Sequence, residues 1–348
     1  MPLPLRLFLL VCAGLTGCTP RIDPSGWTAS TPLAEVLRAL SHSGAQPPGF
    51  APDPDQVLRG HELVFTGRAS APDGSARSPL SAYFVCVDCH LTAREQPDQA
   101  HPVDDAARLA WLERDHLLLL PGNTLAGVTD RAAFFQGDWA SRPGWEPAAG
   151  VRADLRRAVR FCATRVARGR PLEDWEESAI LAYLTSLQWR LGDLDLTANE
   201  VSTLKTAALD PARHSALVGQ LQTRYRLALP GTFGKVPTDP AGGFGLPSAP
   251  NPQNGARVWR LSCLHCHGPD GASATHFKDR PKDIAELARR FTAPGPENLY
   301  QILRHGTPSH PDRGSAVMPG FTRERLSDAM IEDLRFWMEQ QGTSPPPP

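Results

Sequence analysis

Cys263-Leu264-His265-Cys266-His267 and Cys86-Val87-Asp88-Cys89-His90 repeat one pattern, C-x-x-C-H, and everything else in the chain is read outward from them. Two thiols three positions apart on one turn reach the two vinyl groups of a single porphyrin. The residue that follows then aims its imidazole at the iron, so the pattern marks c-type haem attachment. A structural zinc would need four well-placed ligands, and a thioredoxin-like pair would need a strand–CxxC–helix setting. Duplication on an exported chain disfavours both. The expectation is two covalent haem c groups. Cys86, Cys89, Cys263 and Cys266 would be the thioether positions, and His90 and His267 the proximal iron ligands.

Each motif has helical signals around it. Asp53-Pro54-Asp55-Gln56 opens an apolar helix (Val57, Leu58, Gly60, Leu63, Val64). Asn251-Pro252-Gln253-Asn254 opens another (Gly255, Val258, Trp259, Leu261). Asp or Asn with Pro behind it is a helix-start signal. Gly67 to Pro79 intrudes as a loop before Cys86. Downstream, Glu173–Leu187 places Ile180, Leu184 and Leu187 on one face, and Ser327–Gln340 does the same with Met330, Leu334 and Trp337. Ser327 suits an N-cap, and Leu326 with Ile331 suits a hydrophobic staple. A helix before and a helix after each haem motif resembles the class I cytochrome c fold, in which these two helices cross. The resemblance implies an all-α chain with two such domains in tandem, at 53–190 and 251–342. Between them, 191–250 holds a helical segment (Thr197–Leu229) and a Pro/Gly-rich linker (Pro230–Pro252). Residues 19–52 read as a flexible tether with one short helix at Pro32–Leu40, and 343–348 as a disordered tail.

Residues 1–18 read as a targeting segment. Arg6 is a short positive region, and Leu7 to Leu15 is an apolar run too short to span a bilayer. Leu15-Thr16-Gly17-Cys18 resembles a bacterial lipobox, which implies lipidation of Cys18 and anchorage to a membrane outside the cytoplasm. An ordinary signal peptide is the alternative. Thr19 behind Cys18 points, by bacterial sorting rules, to a periplasm-facing lipoprotein of the outer membrane. The formal net charge of −1 over 348 residues gives no basic field for nucleic acid.

The sixth iron ligands follow from what is scarce. Val317-Met318-Pro319-Gly320-Phe321 lies downstream of His267 and ahead of the last helix. Met318 there matches the distal methionine of class I cytochromes c, and Met/His ligation raises the haem potential. Met318 as a buried gap-filler is the plain alternative. Beyond the targeting segment no methionine precedes Met318 and no lysine precedes Lys205. The first motif must therefore look to Cys162, His101, His116 or His61, or remain five-coordinate. Cys162 shares a helical face with Leu155, Val159 and Val166. Phe161-Cys162-Ala163-Thr164-Arg165 to Leu172 resembles a C-x-x-R-x-x-x-G-x-x-L stretch of the thiosulfate dehydrogenase and SoxA group of cytochromes. That resemblance implies a thiolate ligand at Cys162, with Arg165 the best placed of a cluster of arginines (Arg152 to Arg170) to hold an anion. The gap from His90 to Cys162 is longer than in that group, and Ala167 stands where relatives often carry methionine. Cys162 as a small core residue and bis-His ligation by His101 or His116 stay open.

The functional expectation is an electron-transfer protein passing electrons from the first haem to the Met-ligated second, and on to a soluble cytochrome or terminal oxidase. The alternative is a thiosulfate dehydrogenase-like oxidoreductase, catalytic through Cys162 and Arg165. An open first iron would instead suit peroxidase chemistry.

Overall fold

Asp53 and Asn251 cap the helices that follow them. The Asp53 carboxylate accepts from Asp55 N at 3.1 Å and the Asn251 side chain from Gln253 N at 3.0 Å. In each case proline occupies the first turn, where its missing N–H costs nothing. The computed structural model describes residues 23–41, 52–95, 104–136, 150–268, 284–291, 295, 298–307 and 318–342. Its helices are α1 (Leu33–Ser41), α2 (Pro54–Thr66), α3 (Asp105–Arg114), α4 (Leu155–Phe161), α5 (Asp174–Ser186), α6 (Ala198–Ala207) and α7 (His214–Gln222). Then come α8 (Pro252–Val258), α9 (Leu264–His267), α10 (Ile284–Phe291), α11 (Leu299–His305) and α12 (Asp328–Gly342). The fold is all-α. Among the described residues β pairing is confined to two isolated bridges, Pro32 with Arg190 and Phe135 with Gly231. No described helix is long and apolar enough to cross a membrane. Cys18, His101 and the 343–348 tail lie outside the described residues.

α2 crosses α5, and α8 crosses α12, each at a glycine. A Cβ on Gly60 would stand 2.0 Å from the Ala179 carbonyl oxygen and 2.7 Å from Tyr183 Cβ. One on Gly255 would stand 2.1 Å from the Asp333 oxygen and 2.8 Å from Trp337 Cβ. The helix pairs touch backbone to backbone, and only a hydrogen fits. The first pair is wrapped by Leu63, Val64, Leu80, Val128, Ile180 and Leu184. The second is wrapped by Val258, Leu287, Leu303, Leu326, Met330, Ile331 and Leu334. Ser327 caps α12 as its sequence suggests, accepting from Met330 N at 3.0 Å.

Three stretches depart from the expected plan. α3 belongs by sequence to the first unit, yet Leu109, Trp111, Leu112 and Leu119 are buried in the second core. Leu119 N donates to the Leu261 carbonyl at 3.0 Å, and Glu113 receives Arg257 (2.8 Å) and Arg260. The long run between His90 and Cys162 gives the chain the reach. Burying leucines there stabilises by roughly 1.5–3 kcal/mol each. Residues 23–41, expected within a flexible tether, are folded. Trp27, Leu33, Val36 and Leu40 join Trp189, Leu191, Leu204 and Leu221 in a third core, held also by Leu33 N to Trp189 O at 2.8 Å. The i, i+3, i+7 spacing of Leu33, Val36 and Leu40 makes an apolar stripe that a solvated spacer would leave wet. Finally, the Pro/Gly-rich linker is seated between the units. Gly231 N donates to Phe134 O at 2.9 Å, Arg323 N to Thr232 O at 2.6 Å, and Phe244 N to the Glu332 carboxylate at 2.6 Å.

Candidate functional site

Cys86–Asp88 form a tight 3₁₀ turn. The buried Asp88 carboxylate accepts from Val85 N at 2.8 Å, and His90 N donates to Cys86 O at 3.0 Å, and these bonds hold the turn. His90 is fixed in its turn by Pro121-Gly122-Asn123. Its Nδ1 lies 2.6 Å from the Asn123 carbonyl, so Nδ1 carries the proton and Nε2 is left as the iron-binding lone pair. A Cβ on Gly122 would fall 2.4 Å from His90 Cε1. Glycine therefore lets this strap lie flat on the ring. Burial holds the His90 imidazole below its ordinary pKa and so favours the neutral, ligating form.

A cavity of about 1280 Å³, its mouth included, opens beside this turn. Cys86, Cys89 and His90 line it, with Leu63, Val64, Phe84, Val128, Phe134 and Ile180 forming apolar walls. Its apolar lining and its Cys/Cys/His donors suit a porphyrin. Cys162 lines the same cavity. It begins a π-turn, Cys162–Val166, closed by Ala167 N on Cys162 O at 2.8 Å. Such turns gather at functional positions. Burial pushes the Cys162 thiol up to about 11 and Cys86 to about 12, which disfavours the thiolate of each.

Arg165 does not reach the cavity. Cys162, Ala163, Val166 and Ala167 face the cavity, whereas Arg165 is exposed and absent from its wall. The neighbouring arginines are also engaged elsewhere. Arg156 and Arg160 both bond the buried Glu177, Arg170 bonds the buried Glu176 at 2.5 Å, and Arg157 reaches Asp154 at 3.5 Å. The anion pocket expected from these arginines is not assembled among the described residues. Nor does the cavity receive His61, which is exposed and stacks on Phe65 at 4.3 Å, or His116, which is exposed at the end of α3 with φ of 54°. α3 has carried His116 to the second unit.

At the second motif another π-turn, Trp259–Cys263, runs into α9. Trp259 lies over the His267 ring at 6.3 Å. Cys263 and Met318 pack against the same core, and Met318 is held by Thr307, which bonds both its N (2.8 Å) and its carbonyl (3.1 Å). Burial raises Cys263 and Cys266 to about 12 and lowers His267. The two motifs abut: Asp88 Oδ1 is 3.7 Å from His265 Nε2. Sequence reasoning found every cysteine and histidine of the motifs but missed the Gly122–Asn123 strap and this contact. Pro-Gly-Asn is a turn signature that could have shown the first.

A C-x-x-C-H turn set between crossing helices in an all-α fold defines a c-type cytochrome domain. Residues 250–338 match the family model described as cytochrome C oxidase, cbb3-type, subunit III. That segment is a cytochrome c domain and implies covalently bound haem c and electron transfer. Over 94 residues the chain is 31% identical to a nicotinate dehydrogenase subunit of Pseudomonas putida. The match covers 27% of this chain but 8% of that much longer protein. No solved structure matches the chain.

Proposed function

We propose that the chain is a dihaem c-type cytochrome made of two class I-like domains, passing electrons from the first attachment site to the second. His90 and Cys162 would hold the first iron, and His267 and Met318 the second. The supporting observation is the 3.7 Å approach of Asp88 to His265, which sets the two attachment turns side by side. Bound haem c supplies a reversible one-electron iron couple. The protein's part is to keep His90 neutral and oriented, to exclude water with the apolar cavity, and to present a thiol at the first site and a thioether at the second. Met/His ligation raises the potential, so a Cys/His first site gives the sequence of sites a downhill direction. The chain would be exported, lipidated at Cys18 and held facing the periplasm, in the outer membrane, handing electrons to a soluble cytochrome or terminal oxidase.

The second reading, a thiosulfate dehydrogenase-like oxidoreductase, draws support from Cys162 in the cavity. Against it, Arg165 lies off the cavity wall and three nearby arginines are bound to buried glutamates. Both readings are tested on Cys162→Ala purified with its cofactors. Loss of a thiolate-type ferric signal with no thiosulfate-dependent reduction in the parent supports electron transfer. Thiosulfate-dependent reduction lost in the variant supports the enzyme. An unchanged first-site spectrum removes Cys162 as a ligand.

A further inference from the structure

The first cavity is not closed by the first unit alone. Thr322, four residues past Met318 on the second unit, lines it, as does Gly231 of the connecting segment. A Cβ on Gly231 would come within 3.0 Å of Thr322 Cγ2, so the glycine allows that wall to close. Thr322 is 6% exposed, yet its hydroxyl has no partner among the described residues.

Nearby is a buried cluster of positive charge. Arg131 lines the same cavity, is bonded to the Thr124 and Ala126 carbonyls, and keeps a buried Nε without a partner among the described residues. Arg325 is 1% exposed. It bonds Glu95 and donates through Nε to Leu120 O at 3.3 Å, and its second terminal nitrogen is likewise unpartnered. Arg325 N also donates to Thr322 O at 3.0 Å, which ties the two into one turn. Arg108 reaches the same Glu95 at 3.5 Å. Arg108 and Arg325 thus share the Glu95 carboxylate, while Arg131 and Thr322 leave orphaned donors on the cavity wall. Buried donors in that condition call for an acceptor, and the positive charge around them favours an anionic one.

We infer that Arg131 and Thr322, backed by Arg325, form a carboxylate-binding corner in the first cavity, so that the second unit supplies part of the first unit's cofactor site. The inference rests on the first motif carrying haem. The shared chemistry is a carboxylate, either a side chain of the porphyrin or a small free acid. Thr322 and Arg131 donate to it directly, while Arg325 is a positioning residue that holds the Thr322 turn.

The test uses the full-length holoprotein, with two haems verified by intact mass. Mass for one haem, with the first motif bare, overturns the reading of that motif and the inference with it. With two haems in place, Thr322→Val removes the hydroxyl and keeps the shape. Arg131→Gln removes the charge, and Arg325→Met serves as the positioning control. In Thr322→Val and Arg131→Gln the reduction equilibrium of the first haem should shift on the order of tenfold toward the oxidised form, that of the second haem staying in place. Redox difference infrared spectra read the porphyrin carboxylates directly, and an acetate titration of the parent reads a free acid. A carboxylate band displaced in Thr322→Val, with no acetate response, identifies the porphyrin as the source. A saturable acetate effect on the first-site spectrum, lost in Thr322→Val, identifies a free acid. Two-haem variants with the parent's first-site potential, carboxylate bands and acetate response overturn the proposal.

Discussion

Gly122→Ala puts one methyl group where the structure has none to spare. The new Cβ would lie 2.4 Å from His90 Cε1, 2.5 Å from its Nδ1 and 2.9 Å from the Cys89 carbonyl oxygen. The nearest ordinary contact is about 1 Å longer, so ring or strap must move by that much. Neither moves freely. The ring follows the Cys86–Asp88 turn, and the strap is tied by Gly122 N to Cys89 O at 2.8 Å. Overpacking of this kind costs about 1–3 kcal/mol. Displacing the ring also weakens the 2.6 Å Nδ1 bond to Asn123 O, for about 1 kcal/mol more. The sum, about 2–4 kcal/mol, is a large part of an ordinary domain's stability. Guanidinium unfolding followed by haem absorbance and linear extrapolation measures it. Gly219→Ala is the control: it sits inside α7 with nothing within 4 Å of its Cβ, and should be neutral or stabilising by about 0.5–1 kcal/mol. A Gly122→Ala protein that unfolds at the parent's midpoint with the parent's visible spectrum would refute the placement of the strap against His90.

Other outcomes follow from the packing. Gly60→Ala and Gly255→Ala should each destabilise by about 1–3 kcal/mol or more, the first loosening amide protection in α2 and α5, the second in α8 and α12; hydrogen exchange separates the two. Leu112→Ala, a change inside the first sequence unit, should cost about 2–5 kcal/mol and show its loss of protection in α12. Loss confined to α2 and α5 would contradict the seating of α3. Glu113 is held below the usual carboxylate pKa, first by its hydrogen bond from Arg257. A depressed carboxylate stabilises above its unfolded value near 4.5 and loses that contribution as pH falls through its folded value. The pair is partly exposed, so Glu113→Gln should lower stability by under about 1 kcal/mol at pH 7, and the difference from the parent should vanish near pH 2–3 in urea titrations.

Local signals were legible where the cause is local. Asp53-Pro54, Asn251-Pro252 and Ser327 begin helices because a side-chain acceptor and a missing N–H act within one turn. The C-x-x-C-H turns also follow from spacing along a short stretch, whereas the sharing of one cavity by Cys162 and the first motif is a contact across 72 residues that only the fold makes. Arg165 lies off the cavity because the side of the helix that faces it runs through Cys162, Ala163, Val166 and Ala167, and which side of an arginine-rich helix faces a pocket is set by its tertiary neighbours. The destination of α3 was hidden for another reason. Leu109 and Leu112 declare an apolar face, but any core with room satisfies it, and which core receives them depends on the reach of the chain. Residues 23–41 were obscured by composition, since the prolines and serines around them outweighed a short apolar stripe.

Thr322 on the wall of the N-terminal cavity has a consequence for biogenesis. A polypeptide synthesised amino end first carries Cys86 and Cys89 long before position 322 is made. Through that interval the earlier pocket stays unroofed and its thiols stay open to solvent. A truncation that spares every residue of the earlier motif would thus still leave its pocket permanently ajar.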